Sequence, residues 1–147
     1  MMGKVLMQEL GNKNVKVGVG VILLKNNKVL LGKRKNAHGE GTWSLPGGKL
    51  HFGESVKDCI KREAKEETNL DIEVAKIVSV ANDINYETHY ITIGVLAKNI
   101  KGELKLMEPN KASDWKWFEL NNLPKPLFIP SAKIIKNYKN KVIFSDE

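Results

Sequence analysis

Residues 46–70 read PGGKLHFGESVKDCIKREAKEETNL, and the fold turns on this stretch. Pro46-Gly47-Gly48 is a strong breaker, and Ser55 followed three residues on by Asp58 is an N-terminal capping pair, so a helix is expected over residues 55–68. At roughly 100° per residue, Val56, Cys59, Ile60 and Ala64 fall in one apolar stripe, with Lys57, Asp58, Lys61 and Lys65 opposite. Glu63 follows Val56 by seven residues and Glu67 follows Ile60 by seven, which sets both carboxylates in the middle of that stripe. Arg62 and Glu66 flank it on one edge. Acids belong on the lysine face if stability is the only demand, because an unpaired buried carboxylate is costly. A conflict of this kind between pattern and chemistry marks a functional site. Glu63, Glu66 and Glu67 would repel one another and raise their own pKa values unless a cation sat among them. A hard divalent ion bound through oxygen, Mg²⁺ with Mn²⁺ as a substitute, resolves the conflict. The alternative is a helix end whose glutamates fray into water or pair with Arg62 and nearby lysines.

Outward from the helix, residues 16–24 are rich in Val and Ile and read as a strand. A polar turn at residues 25–28 leads into a second strand, 29–34, and the two read as a hairpin. Residues 36–41 form a Gly/Asn/His loop and 42–45 a short extended piece. Strands are expected over residues 72–81, 88–98 and 115–119, mostly loop over 101–111, and a last helix over 131–139. Strands, helix, strands, helix is an α+β order, with a mixed β-sheet and helices packed on it.

A chain of 147 residues, 41% hydrophobic and 28% charged, suits one domain with its own core, expected over residues 16–139 with the first dozen residues and 145–147 loose. The apolar run 19–24 is far shorter than the roughly 20 residues of a membrane helix. No apolar segment follows the first residues as in an export signal, and the single cysteine cannot form an internal disulfide, so a reducing cytoplasm is expected. The net charge of +7 favours an anionic partner, whether nucleotide, nucleic acid or membrane surface, although a solvated lysine-rich surface gives the same sum. The missing Lys/Arg-aromatic patch argues against nucleic acid. Only Arg34 and Arg62 are arginines, and only they offer a planar fork to phosphate or carboxylate. Cys59, on the apolar stripe, reads as core.

Spacing adds to this. Five residues separate Gly48 from Glu54, seven more lead to Arg62, and Arg62-Glu63-Ala64-Lys65-Glu66-Glu67-Thr68-Asn69-Leu70 follows. This resembles the Nudix box of the Nudix hydrolases at every defining position but one, where Asn69 stands in place of Gly. That position follows the helix end, where a left-handed residue is wanted and Asn is the usual second choice. Leu45-Pro46-Gly47-Gly48, Phe52-Gly53-Glu54, His89-Tyr90, Glu108-Pro109-Asn110-Lys111 and Trp115-Lys116-Trp117 extend the likeness over residues 16–135, toward the MutT-type branch.

The resemblance implies the Nudix fold, a mixed sheet sandwiched between helices, and metal-dependent hydrolysis of nucleoside triphosphates, including modified or oxidised purine nucleotides, to monophosphate and pyrophosphate. It implies metal ligation by Glu63, Glu66, Glu67 and the Gly47 carbonyl, with Arg62 paired to Glu54. The general base is either Glu63 or Glu108. Thr92 and Phe128 are implied in the base pocket, although Phe128 reads equally as a core aromatic. Arg34 is expected at the substrate phosphates or in a surface salt bridge. Lys49, which stands where relatives often carry His, is also expected among the substrate-binding positions. A homodimer is the usual assembly of the branch. Other readings are a Nudix enzyme for ADP-ribose, dinucleotide polyphosphates or RNA 5′ ends, and a non-catalytic nucleotide-binding module, which the intact glutamates oppose.

Overall fold

The computed structural model describes residues 13–146, so the expected loose segment over residues 1–12 lies outside the described residues. In chain order the elements are β1 (Lys16–Ile22), β2 (Leu24–Lys25), β3 (Lys28–Arg34), β4 (Trp43–Ser44), β5 (Gly47–Lys49), α1 (Val56–Thr68), β6 (Asp71–Asn85), β7 (Thr88–Lys101), β8 (Ala112–Glu119), α2 (Ile129–Asn140) and β9 (Phe144–Ser145). One sheet runs β5-β1-β7-β6-β9, with β1 parallel to β7 and antiparallel to β5. The other runs β2-β3-β4, with β8 on β3. The fold is α+β with a mixed sheet between helices.

Alternation along β1 explains the sandwich. Val19 and Val21 pack with Cys59, Ile60 and Ala64 of α1, whereas Ile22 packs with Ile134 and Ile135 of α2. Gly20 and Gly94 are partners across β1 and β7. A Cβ on either would strike Ile134, at 2.7 Å from Cδ1 and 2.6 Å from Cγ2 respectively. The paired glycines thus form a slot that seats α2 on the sheet, and full burial of a side chain such as Ile134 contributes about 1.5–3 kcal/mol.

Several expectations are corrected. Residues 16–24 and 29–34 do not form one hairpin: β1 ends at Ile22, and only the short β2 pairs with β3. Leu23, fully buried, carries the chain from one sheet to the other. Pro46-Gly47-Gly48 is not simply a break, because Gly47 and Gly48 pair with Gly20 and Val19 as an edge strand. Strands β6 and β7 run longer than expected and meet at the two-residue turn Tyr86-Glu87. Ser145, expected in a loose tail, pairs with Ala81. Among the described residues no helix is long and apolar enough to cross a membrane.

Candidate active site

Helix α1 begins at its expected cap, where the Ser55 hydroxyl accepts the Asp58 N–H at 3.1 Å. It ends on Asn69 in the left-handed conformation, φ +67°, with its N–H on the Lys65 carbonyl. Between these caps the helix lays its acid-bearing stripe beside β5. A Cβ on Gly48 would stand 2.5 Å from the Glu63 carboxyl carbon, and one on Gly47 would collide with the Val19 carbonyl. Both positions therefore need glycine for close approach rather than for a turn. The Gly47 N–H donates to Glu67 Oε1 at 3.1 Å.

Arg62 is held among three carboxylates. Its Nε donates to Glu54 Oε2 at 3.0 Å and its Nη2 to Glu54 Oε1 at 2.7 Å, a bidentate pair, while Nη1 reaches Glu63 Oε1 at 2.8 Å and Glu66 Oε2 at 3.3 Å. The His51 N–H also donates to Glu54, at 2.9 Å. These bonds, Arg62 first, hold the Glu54 carboxyl at about 2 and push the Arg62 guanidinium further up. Glu66 differs from its neighbours: its side chain is 48% exposed against 14% for Glu63. Glu67 is the opposite case. Exclusion of water, and next the adjacent Glu63 carboxyl, raise its pKa well above the ordinary carboxylate range, against the lowering effect of the Gly47 N–H. Among the described residues no three acidic, His or Cys side chains stand ready-made to hold a metal ion: Glu63 is shared between Arg62 and Glu67, Glu66 turns to Arg62, and Glu67 accepts the Gly47 N–H.

Two cavities meet at this edge. One, about 420 Å³, is the more polar of the two and is lined by Glu63, Glu67 and Glu108 together with Arg34, Lys49 and Lys111. Glu108 lies 3.4 Å from Lys111 Nζ. The second, about 310 Å³, runs from Gly47 and Glu67 to Thr92, Tyr86 and Phe128. Arg34, Gly47, Gly48, Lys49 and Glu67 line both. Arg34 Cζ lies 3.9 Å from the Phe128 ring centroid, and its Nε donates to the His38 carbonyl at 2.6 Å. Burial lowers the Arg34 pKa, partly offset by Glu67, and the group stays cationic. Arg34 lines both cavities, and none of the salt bridges among the described residues includes it. Phe128 is not a plain core aromatic: half-buried, it lines the cavity, fixed by its N–H on the Trp43 carbonyl at 2.8 Å.

The structure thus brings together Gly47, Glu63, Glu67, Glu108, Arg34 and Lys49, joins Thr92 and Phe128 to them through the second cavity, and leaves Glu54 and Glu66 on the Arg62 side. Cys59 is buried, its thiol bonded to the Lys49 carbonyl, and burial pushes its pKa up to about 12, so it is no nucleophile. Sequence reasoning missed Asp83 and Tyr86. Asp83, buried on β6 and paired with Lys133 at 3.0 Å, continues the buried alternation through Ala81, which is the signal that would have found it. Tyr86 carried no such signal.

Comparison with known proteins agrees with this fold. The NUDIX domain model matches residues 15–138. The chain is 42% identical over 124 residues to an ADP-ribose pyrophosphatase of Methanocaldococcus jannaschii, covering 83% of this chain and 72% of that protein. It is 29% identical over 108 residues to an oxidized purine nucleoside triphosphate hydrolase of Danio rerio, covering 71% of this chain and 66% of that protein. The crystal structure of a MutT NUDIX hydrolase from Burkholderia pseudomallei superposes with a TM-score of 0.81 at 31% identity, over 85% of this chain and 98% of that one. With the glycine edge, the acid-bearing helix and the family match in agreement, the chain belongs to the NUDIX domain family and is a Nudix hydrolase.

Proposed function

We propose that the protein hydrolyses nucleoside triphosphates to nucleoside monophosphate and pyrophosphate, with Mg²⁺ or Mn²⁺ at Glu63, Glu66, Glu67 and the Gly47 carbonyl. The observation that carries this reading is the shared edge of the two cavities, with cationic Arg34 and Lys49 beside the inward acids and Lys111 further along the polar one. Cations of that number suit a polyphosphate tail better than an uncharged sugar. The donors are all oxygen, and Glu67 is an enclosed acid pressed against Glu63 with no basic side chain among its hydrogen-bond partners in the described residues, which fits a hard divalent cation. Such an ion supplies neutralisation of phosphate charge at this edge.

The remaining roles belong to the chain. Arg62, braced by Glu54, sets the angle of Glu63. Glu66 serves as a ligand by turning from Arg62. Lys49 and Arg34 hold the phosphates, and Thr92 and Phe128 receive the base. The attacking water gives its proton to Glu63 or Glu108, both of which face the polar cavity. Glu108→Gln separates these: a fall in kcat of about 10²- to 10⁴-fold with Mg²⁺ binding unchanged assigns the base to Glu108, and near-normal kcat leaves it to Glu63. A homodimer in the cytoplasm completes the reading, and light scattering tests the assembly.

A second reading, cleavage of ADP-ribose, is favoured by the M. jannaschii relative. A nucleotide panel with Mg²⁺ decides between the two. Pyrophosphate release from triphosphates supports the first; AMP and ribose 5-phosphate from ADP-ribose, with triphosphates untouched, overturns it.

A further inference from the structure

The turn joining β6 to β7 is two residues long, and both carry positive φ: Tyr86 at 51° and Glu87 at 61°. Such a turn matches the twist of a hairpin, but its positions ordinarily go to Asn, Asp or Gly, because a bulky side chain crowds the left-handed backbone. Tyrosine at the first position is a local misfit, and misfits persist where the surroundings hold them.

The surroundings here are specific. The Tyr86 ring lies parallel to Phe128, centroids 5.2 Å apart and planes within 4°. Its hydroxyl accepts the Ile129 N–H at 3.1 Å, at the first turn of α2. The turn between β6 and β7 and the start of α2, remote in sequence, are thereby clasped across the second cavity, which both aromatic rings line. Tyr86 is half-buried: one face of its ring lies against Phe128, and the side chain lines the cavity. The same cavity runs without interruption to Gly47 and Glu67 at the acid edge, and the Arg34 guanidinium beside Phe128 stands between the two ends.

We propose that Tyr86 is a substrate-positioning residue: backed on one face by Phe128, its ring offers the other face as the flat wall on which the nucleobase of the substrate stacks while the phosphates reach the acid edge. The ligand class follows from the wall's chemistry, a planar heteroaromatic ring carried on an anionic tail. Stacking on an aromatic side chain contributes about 1–3 kcal/mol per base, which corresponds to roughly 5- to 150-fold in affinity. The inference rests on the reading of this cleft as a nucleotide site.

The test uses Tyr86→Asn, whose residue suits the left-handed turn and so keeps the hairpin, and Tyr86→Phe, which keeps the ring and drops the hydroxyl. Calorimetric titration with GMP and AMP, and with base-free ribose 5-phosphate, reads binding without turnover. Kinetics on the preferred nucleotide read KM against kcat. Tyr86→Asn is expected to weaken GMP or AMP binding and raise KM about tenfold, with kcat within about threefold and ribose 5-phosphate binding unchanged. Tyr86→Phe is expected to stay near the wild type. Unchanged nucleotide binding in Tyr86→Asn, equal losses in both variants, or an equal loss for ribose 5-phosphate overturns the proposal. A protein that turns over no nucleotide yet binds GMP or AMP in a Tyr86-dependent way refutes the proposed hydrolysis and leaves the stacking role standing.

Discussion

Gly48 stands so close to Glu63 that a single methyl group added to it would come within 2.5 Å of the carboxyl carbon. The neighbour is the far end of a flexible side chain, and it can give way. Gly48→Ala should therefore shift Glu63 while sparing the fold: kcat falls about 10- to 100-fold and Tm changes by no more than about 4 °C. Gly47→Ala meets backbone instead, so the expected order reverses, with Tm falling first. Thermal melts and kinetics of the two variants together check the contrast, and a Gly48→Ala enzyme at full activity would count against the role of Glu63.

Glu67→Gln should lower turnover by about 10³-fold or more while leaving the metal-free protein as stable as the wild type or more so. An enclosed carboxylate pressed against Glu63 opposes folding, and its amide keeps the size and an acceptor for the Gly47 N–H. Calorimetric Tm in chelator, beside kcat in Mg²⁺, reads both halves.

The raised pKa of Glu67 sets a pH dependence whose sign can be worked out. The folded chain holds this proton more tightly than the unfolded chain, so the associated stability is present at low pH and is lost as pH rises through the folded value. A cation that neutralises the carboxylate returns what was lost. The rise in Tm on adding Mg²⁺ should be larger at pH 8 than at pH 5, as differential scanning fluorimetry would register.

Glu54 behaves oppositely. Its pKa, held at about 2 chiefly by Arg62, lies below the unfolded value, so its contribution is present above roughly pH 4.3 and drains away as pH falls toward 2. Acid titration of Glu54→Gln should show a flatter decline over that interval. Arg62→Lys, which cannot copy the two-pronged grip on Glu54, is expected to lose at least tenfold in kcat/KM.

Helix α1 was legible because capping, amphipathic period and acid placement are local properties. Ser55, Asn69 and the inward Glu63 and Glu67 all stand where period and cap chemistry put them. The change of sheet at Leu23 was not legible: two apolar runs joined by a polar turn look the same whether their strands pair with each other or with β7 and β8, and tertiary pairing alone decides. Gly47 and Gly48 read as a break because their composition speaks of backbone freedom, yet the structure uses the space they leave. Tyr86 escaped notice because its residue type contradicts its turn, and the reason for the contradiction, Phe128, lies 42 positions further along the chain (128 − 86).

Arg34 borders both hollows at once, one flank near the Phe128 ring and the other toward Glu67. A party wall of this kind couples what the enzyme chooses to what it cuts. Any replacement that reshapes one chamber also reshapes the other, so a lineage or an engineer seeking a new preferred nucleotide would have to leave this side chain in place and remodel around it.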